Sequence, residues 1–104
     1  MPLFEDREKE FEARFRRNEE LRFKVTARRN RLAGLWAAEK MKLSGDAAND
    51  YAASIVHVGL GGDPNVVAKL VADLAAKGHP FTADQVRFEL KHFAVTAKNQ
   101  VTSE

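Results

Sequence analysis

The sequence predicts an all-α protein, a small four-helix bundle with a long first helix and a mobile N-terminal arm. Three observations support this prediction. Residues 4–43 are rich in Glu, Arg, Lys, Ala and Leu, which are good helix formers. Three later segments place apolar residues at intervals of three or four, and glycine, proline and capping residues separate them. No stretch alternates between apolar and polar residues for long enough to form a convincing strand.

The composition is that of one small globular domain. The 104 residues are 44% hydrophobic and 31% charged, and a chain of this length buries only a modest core. There is no cysteine, which excludes disulfides and thiolate metal sites and fits a cytoplasmic setting. No apolar stretch reaches the length that spans a bilayer, and the charged N-terminus has no apolar h-region, so we expect neither direct membrane insertion nor secretion.

The first helical segment carries two apolar stripes. It has no glycine or proline between Pro2 and Gly34, so it is predicted to be one long helix or two helical pieces in sequence. At about 100° per residue, Phe4, Phe11 and Phe15 lie within about 40° of each other, and we name them the Phe stripe. A second stripe, rotated by about 70° from the first, is expected to pack against the later helices. It comprises Leu21, Val25, Leu32, Trp36 and Leu43, and Leu35, Ala37, Ala38 and Met41 broaden it.

The change of register between the stripes predicts a boundary near Asn18. In an unbroken helix the two stripes do not face the same partner. We therefore predict that residues 1–18 form an N-terminal arm and that residues 19–104 form the bundle domain.

The three later helices have recognisable ends. Ser44 is a plausible N-cap for the second helix, which is expected to stop at "GLGGDP". In the third helix, Asp63 is predicted to cap, Pro64 to occupy the first helical position and Gly78 the C′ position. The fourth helix opens with "TADQ", residues 82–85, which is a capping box. The apolar positions within these helices follow helical spacing, as Val66, Leu70 and Leu74 do in the third helix.

Two explanations of the arm remain open from the pattern alone. In the first, the arm is a solvated helix supported by pairs such as Glu10–Arg14 and Glu12–Arg16, each worth about 0.2–0.5 kcal/mol. In the second, the arm folds onto a partner. Burying each phenylalanine then stabilises the complex by about 1.5–3 kcal/mol, against an ordering cost of about 2–5 kcal/mol.

No enzyme site, metal site or cofactor site emerges from the sequence. The three histidines, His57, His79 and His92, are not spaced to place two ligands on one helix face. Ser44 and Ser54 lie in no nucleophile motif. The stretch "GLGGDPN" has no following Lys-Ser/Thr, so a loop between two helices is the better interpretation than a phosphate cradle.

The basic residues suggest an alternative function. Residues 1–43 carry 12 Lys+Arg against 8 Asp+Glu, a charge of +4, whereas residues 44–104 carry 5 against 7, a charge of −2. The segment 22–31 could make the chain a helical nucleic-acid-binding module. The competing explanation is that these arginines pair with acidic side chains of the other helices, and no nucleic acid is then expected.

The runs "EELRFKVTARRN" and "GLWAAEKM" resemble the zeta subunit family, the inhibitor of F-type ATP synthases in alphaproteobacteria. The resemblance is strong over residues 4–45 and looser beyond. It implies a four-helix bundle, monomeric when free, whose mobile arm becomes helical as it inserts into the catalytic head. The arm would enter an interface between catalytic alpha and beta subunits beside the gamma stalk, and would block rotation in the hydrolysis direction. The protein would then be cytoplasmic and bound at the inner membrane through the synthase.

The resemblance also assigns roles to individual residues. The inserting, partner-binding residues would be Phe4, Arg7, Glu8, Phe11, Glu12, Arg14 and Phe15. The scaffold that presents the arm would include Phe23, Arg28, Arg29, Leu32 and Trp36. This chain departs from the family pattern at Arg16-Arg17-Asn18, where a stretch such as Ala-His-Asp is common, and at Lys42, where glycine is usual. A bundle of this family with weak or lost inhibition is therefore an alternative.

Overall fold

The structure, a computed structural model, describes the backbone of residues 2–104 and the side chains of residues 7–104. The described chain folds into four α-helices: α1 (Pro2–Lys40), α2 (Gly45–Gly59), α3 (Asp63–Ala76) and α4 (Ala83–Thr102). This part of the chain contains no strand, so the predicted all-α class is confirmed. The first segment is one unbroken helix of 39 residues rather than two pieces.

The helices alternate in direction around the bundle. The α2 helix runs antiparallel to α1, since Gly34 meets Ala52 whereas the earlier Asn30 meets the later Gly59. The α3 helix begins beside Arg29 and continues the alternation. The arrangement is an up-down-up-down bundle joined by short loops.

The α4 helix closes the bundle against α1. Trp36 contacts Phe93 at a ring-centroid distance of 6.2 Å, and Arg28, two turns earlier, reaches Gln100. Trp36 also packs edge-on against Phe81, at 5.1 Å, in the loop that precedes α4. These aromatic contacts close the end of the bundle that is farthest from the N-terminus.

The core is built from the apolar positions that helical spacing predicts. One cluster unites all four helices, and its buried members are Ala33, Ala37, Met41, Ile55, Val66, Val67, Leu70, Leu74, Val86 and Leu90. The second stripe of α1 contributes from Val25 onward, because Val25 is half-buried and Leu32 and Trp36 are half-buried beyond it. The prediction for Leu21 was wrong: it is 43% exposed, because it lies before the point where the other helices reach α1.

Gly34 marks the close contact between α1 and α2. A Cβ atom at this position would lie 2.7 Å from the Cα of Ala52, a distance that real Cβ atoms do not tolerate. The two backbones therefore approach closely only because residue 34 is glycine. This contact fixes the position of α2 along α1.

The α1 and α3 helices end in the same hydrogen-bonding motif. At the end of α3, Gly78 has φ of 82°, and the amide of His79 donates to the carbonyl of Leu74; this is a Schellman motif with glycine at C′, as predicted. At the end of α1, the amide of Leu43 donates to the carbonyl of Ala38 in the same way. There the C′ residue is Lys42, with φ of 61°, so a side chain occupies a conformation that favours glycine.

The helix starts confirm some predicted caps and correct another. Thr82 and Gln85 form both bonds of the predicted capping box. Ser44 is the N-cap residue of α2, although its side chain makes no capping bond. The cap predicted at Asp63 was wrong: Gly62, with φ of 106°, holds the N-cap position, and Asp63 is the first helical residue. The Asp63 carboxylate bonds Arg29 instead.

Candidate functional site

The N-terminal half of α1 projects from the bundle. All side chains from Arg7 to Lys24 are exposed, Val25 is the first that is half-buried, and Asn30 is the first that is fully buried. The exposed stretch 7–24 alone is about 27 Å long, which explains why the molecule measures 65 × 26 × 20 Å. Side chains along the whole length of this projection are therefore accessible to a partner.

The described members of the Phe stripe lie on this projection and pack against no other helix. Phe11 is 71% exposed and Phe15 is 59% exposed. A shallow hollow runs between them and is bordered by Glu12 and Arg16. The prediction that the core does not use these two phenylalanines is confirmed. The side chain of Phe4 lies outside the described residues.

Three of the other four predicted arm residues border a hollow beside the Phe stripe, and the fourth does not. Arg7, Glu8 and Glu12 line a second hollow together with Phe11, so the structure brings them onto the Phe stripe. Arg14 is exposed and lies within about 20° of Arg7 around the helix, but it borders neither hollow. The hollows therefore present an apolar strip with charged edges.

The projection is helical without the ion pairs that the sequence suggested. The pairs Glu10–Arg14 and Glu12–Arg16, named above as examples of support for a solvated helix, are not among the ion pairs of residues 7–104. Near the base of the projection, an oxygen of Glu19 and a nitrogen of Arg22 lie 3.9 Å apart. Both side chains are exposed, so this ion pair contributes little to the stability of the helix. The anchored half of α1 has already formed its first turns, so the projection extends an existing helix and avoids the cost of nucleation.

Arg29 fastens the base of the projection to the bundle. Its Nε and Nη2 atoms donate to Oδ1 of the buried Asn30, at 3.0 and 2.8 Å, and it makes a two-point ion pair with Asp63. The hydrogen bond from Arg29 lowers the pKa of Asp63 from its ordinary value, although partial burial opposes the shift. The first turn of α3 is thus fastened to α1.

The remaining scaffold residues occupy different environments. Arg28 donates to Gln100 at 3.1 Å and pairs with Glu104, so it joins α1 to the end of α4. Leu32 and Trp36 are half-buried within the bundle. Phe23 is 62% exposed and lies beside the base of the projection rather than in the core.

Two polar side chains that the sequence analysis did not single out also connect helices. Asn30 is 1% exposed, and a polar residue on the same helix face as Ala33 and Ala37 is the signal that would have identified it. Tyr51 donates to Asp73 at 2.9 Å, and burial, followed by this hydrogen bond, raises the pKa of Tyr51. Both contacts stabilise the bundle beneath the projection.

The structure does not favour the nucleic-acid alternative. Arg28 and Arg29 are engaged by Glu104 and Asp63, as the competing explanation expected. Trp36 packs edge-on against Phe81, so its ring is not free for base stacking. The basic segment is therefore divided between structural contacts and scattered exposed charges.

The described residues offer no other obvious chemistry. Among them, no group of three or more His, Asp or Glu side chains is placed to hold a metal ion. None of the described helices is long and apolar enough to cross a membrane. The most prominent feature that remains is the projecting helix with its exposed Phe11 and Phe15.

These features define a small all-α protein that presents an apolar strip on a projecting helix. Residues 1–100 match the family model of ATPase inhibitor subunit zeta, and the chain therefore belongs to that family. The family supports an inhibitory, regulatory role and implies interaction with an ATP synthase. A protein solved in solution by NMR is 38% identical, with a TM-score of 0.69, over 80% of this chain and 96% of that chain. No match was found among curated proteins.

Proposed function

We propose that this chain inhibits an F-type ATP synthase by inserting its N-terminal arm, residues 1–18, into the catalytic head. The arm enters at an interface between catalytic alpha and beta subunits, beside the gamma stalk, and blocks rotation in the direction of ATP hydrolysis. The observation that carries the proposal is the exposure of Phe11 and Phe15 on a helix that projects from a bundle of the inhibitor family.

The energetics favour a bound arm. Complete burial of Phe11 and Phe15 contributes about 1.5–3 kcal/mol each, and recognition of an amphipathic helix by a groove uses anchors at this four-residue spacing. Arg7, Glu8 and Glu12 border the same strip and supply charge pairs at the edges of the groove. Arg14, seven residues after Arg7, lies on the same side of the helix as Arg7 and extends this charged edge toward the bundle.

The scaffold residues give the arm a firm base. Arg28 and Arg29 tie α1 to the end of α4 and to the start of α3, and Leu32 and Trp36 pack inside the bundle. These contacts attach the helix that carries the arm firmly to the bundle. The protein acts in the cytoplasm, held at the inner membrane by the synthase.

The test compares ATP hydrolysis and ATP synthesis by the synthase with and without the purified chain. We expect the full chain to inhibit hydrolysis and to leave synthesis largely intact, whereas a chain lacking residues 1–18 should leave both activities unchanged. Because the side chains of residues 7–18 are exposed, the deletion leaves the core contacts described above intact. Equal inhibition by both chains, or by neither, contradicts the arm mechanism.

A second candidate function within the family is a bundle with weak or lost inhibition. It is favoured by the cationic pair Arg16-Arg17 at the end of the arm, where the family commonly has a weakly charged stretch. Replacing Arg16-Arg17-Asn18 with Ala-His-Asp discriminates between the two. A large gain of hydrolysis inhibition supports the weak-inhibitor alternative, whereas inhibition that is already strong in the unchanged chain contradicts it.

A further inference from the structure

A second apolar surface lies at the base of the projecting helix. Phe23 of α1 and Leu60, which follows α2, are 62% and 67% exposed. Both line one groove of about 180 Å³, with Val56 and Gly59 forming part of its lining. We name it the shoulder groove. Exposed apolar side chains are unremarkable singly, but these two share one groove, which makes the groove a candidate interaction site.

The groove has the size of one large side chain. An apolar cavity of about 150 Å³ holds a benzene molecule, so 180 Å³ accepts an aromatic or a branched aliphatic group. The backbone of Gly59 packs directly against the side chain of Asn30. A Cβ atom at residue 59 would lie only 2.2 Å from the Asn30 amide nitrogen, so the close contact requires glycine. The groove is therefore bounded by a packed floor and by the two exposed side chains.

The position of the groove relates it to the arm. Phe23 follows Phe15 by eight residues in the same unbroken helix, which places it about 12 Å further along the axis and about 80° around it. When the arm is inserted as far as residue 18, Phe23 lies within about 8 Å of the mouth of the cleft along the axis. The surface that meets the groove is then the rim of the site that receives the arm.

The charged side chains beside the groove indicate which chemical group its occupant carries. A neighbouring hollow shares Ala27 and Val56 with the shoulder groove and is lined by Arg28 and Arg31. Arg31 is exposed and forms no ion pair within residues 7–104. The surface of this chain beside the shoulder groove thus carries the positive charge of Arg31, which complements a carboxylate on a partner.

We propose that the shoulder groove is a second docking site for the catalytic head. Its occupant is an apolar side chain, flanked by a carboxylate, on the outer rim of the cleft that receives the arm. This inference rests on the proposed function and extends it from the arm to the bundle. The groove stops insertion at a fixed depth and slows dissociation of the inserted arm.

The test measures binding of full-length chains to the purified catalytic head. Phe23→Ala and Leu60→Ala are each expected to weaken binding about tenfold, mainly through faster dissociation. The matched control is Phe88→Ala, which removes an exposed phenylalanine, 70% accessible, from the far part of α4. Arg31→Glu should also weaken binding. Lys40→Glu, at the end of α1 that is farthest from the arm, should not.

The outcomes separate this inference from the proposed function. If Phe11→Ala weakens binding while Phe23→Ala and Leu60→Ala bind like Phe88→Ala, the shoulder groove is not a docking site and the arm mechanism stands. If the unchanged chain does not bind the head, both fall together. Self-association of the free chain that Phe23→Ala abolishes would make a second copy the occupant and overturn the inference. Thermal unfolding of each variant confirms that all are folded.

Discussion

The guanidinium of Arg29 forms a two-point ion pair with the carboxylate of Asp63, with N···O distances of 2.7 and 3.1 Å. The same guanidinium donates two hydrogen bonds to the buried oxygen of Asn30. One side chain thus joins α1 to α3 close to the point where the projecting helix enters the bundle. These contacts give the projecting helix a firm base.

Replacing Arg29 with methionine should lower the free energy of unfolding by about 1–3 kcal/mol. The substitution retains much of the apolar stem but leaves the buried Asn30 oxygen without its donors, and an unsatisfied buried acceptor carries a penalty of that size. Urea denaturation provides the measurement. The control is Arg31→Met on the same helix, whose side chain is exposed and should change stability little; an equal effect of both substitutions would contradict this role of Arg29.

Asp63 should make part of the free energy of unfolding depend on pH in the acidic range. Its pKa is lowered in the folded protein, chiefly by the hydrogen bond from Arg29, so its stabilising contribution is present above the unfolded pKa of about 3.9. That contribution is lost as the pH falls through the folded pKa. The effect is small because the carboxylate is 59% exposed.

Unfolding of Asp63→Asn tests this dependence. The variant should be less stable than the unchanged chain at neutral pH, and the difference should shrink below about pH 4, where the carboxylate becomes protonated. A stability difference that stays constant down to pH 2 would show that the charge of Asp63 is not responsible.

Lys42→Gly should stabilise the protein by about 1 kcal/mol, because Lys42 holds φ of 61° and a left-handed conformation is unfavourable for a residue with a side chain. Gly78 occupies the equivalent position at the end of α3 with φ of 82°, so Gly78→Ala should destabilise by a similar amount. Thermal unfolding measures both changes. No gain from Lys42→Gly, with a clear loss from Gly78→Ala, would mean that the lysine makes compensating interactions.

Much of the bundle was predictable because its signals are local. Helical spacing identified Val66, Leu70 and Leu74 as core residues, and all three are buried. The capping box at Thr82 and the C′ glycine at residue 78 involve only neighbouring residues. These short-range patterns are retained in the folded protein because the contacts between helices do not compete with them.

Features that depend on contacts between helices were not predictable in the same way. Asp63 satisfies local rules for an N-cap, but Arg29, 34 positions away in the sequence, takes its carboxylate. Leu21 follows the spacing of the core stripe, yet it lies beyond the reach of the other helices and is 43% exposed. The shoulder groove joins Phe23 to Leu60 across two elements, a proximity that spacing along one helix does not reveal.

The Phe stripe was predictable in part because it conflicts with the core pattern. Phe11 and Phe15 are rotated away from the stripe that the bundle buries, and the structure leaves both exposed. Their binding partner cannot be derived from this conflict alone; the family supplies the inhibitory role. The roles of the individual arm residues stay predictions.

The central claim is that Phe11 and Phe15 hold the arm in the catalytic head. The most direct test measures inhibition of ATP hydrolysis by a chain that carries both Phe11→Ala and Phe15→Ala. The control carries Phe88→Ala and Val95→Ala, which remove side chains that are 70% and 62% exposed from α4. We predict that the arm variant loses at least 100-fold in inhibitory affinity, as expected for about 3 kcal/mol or more of lost burial, while the control inhibits like the unchanged chain. Equal inhibition by the two variants would contradict the claim.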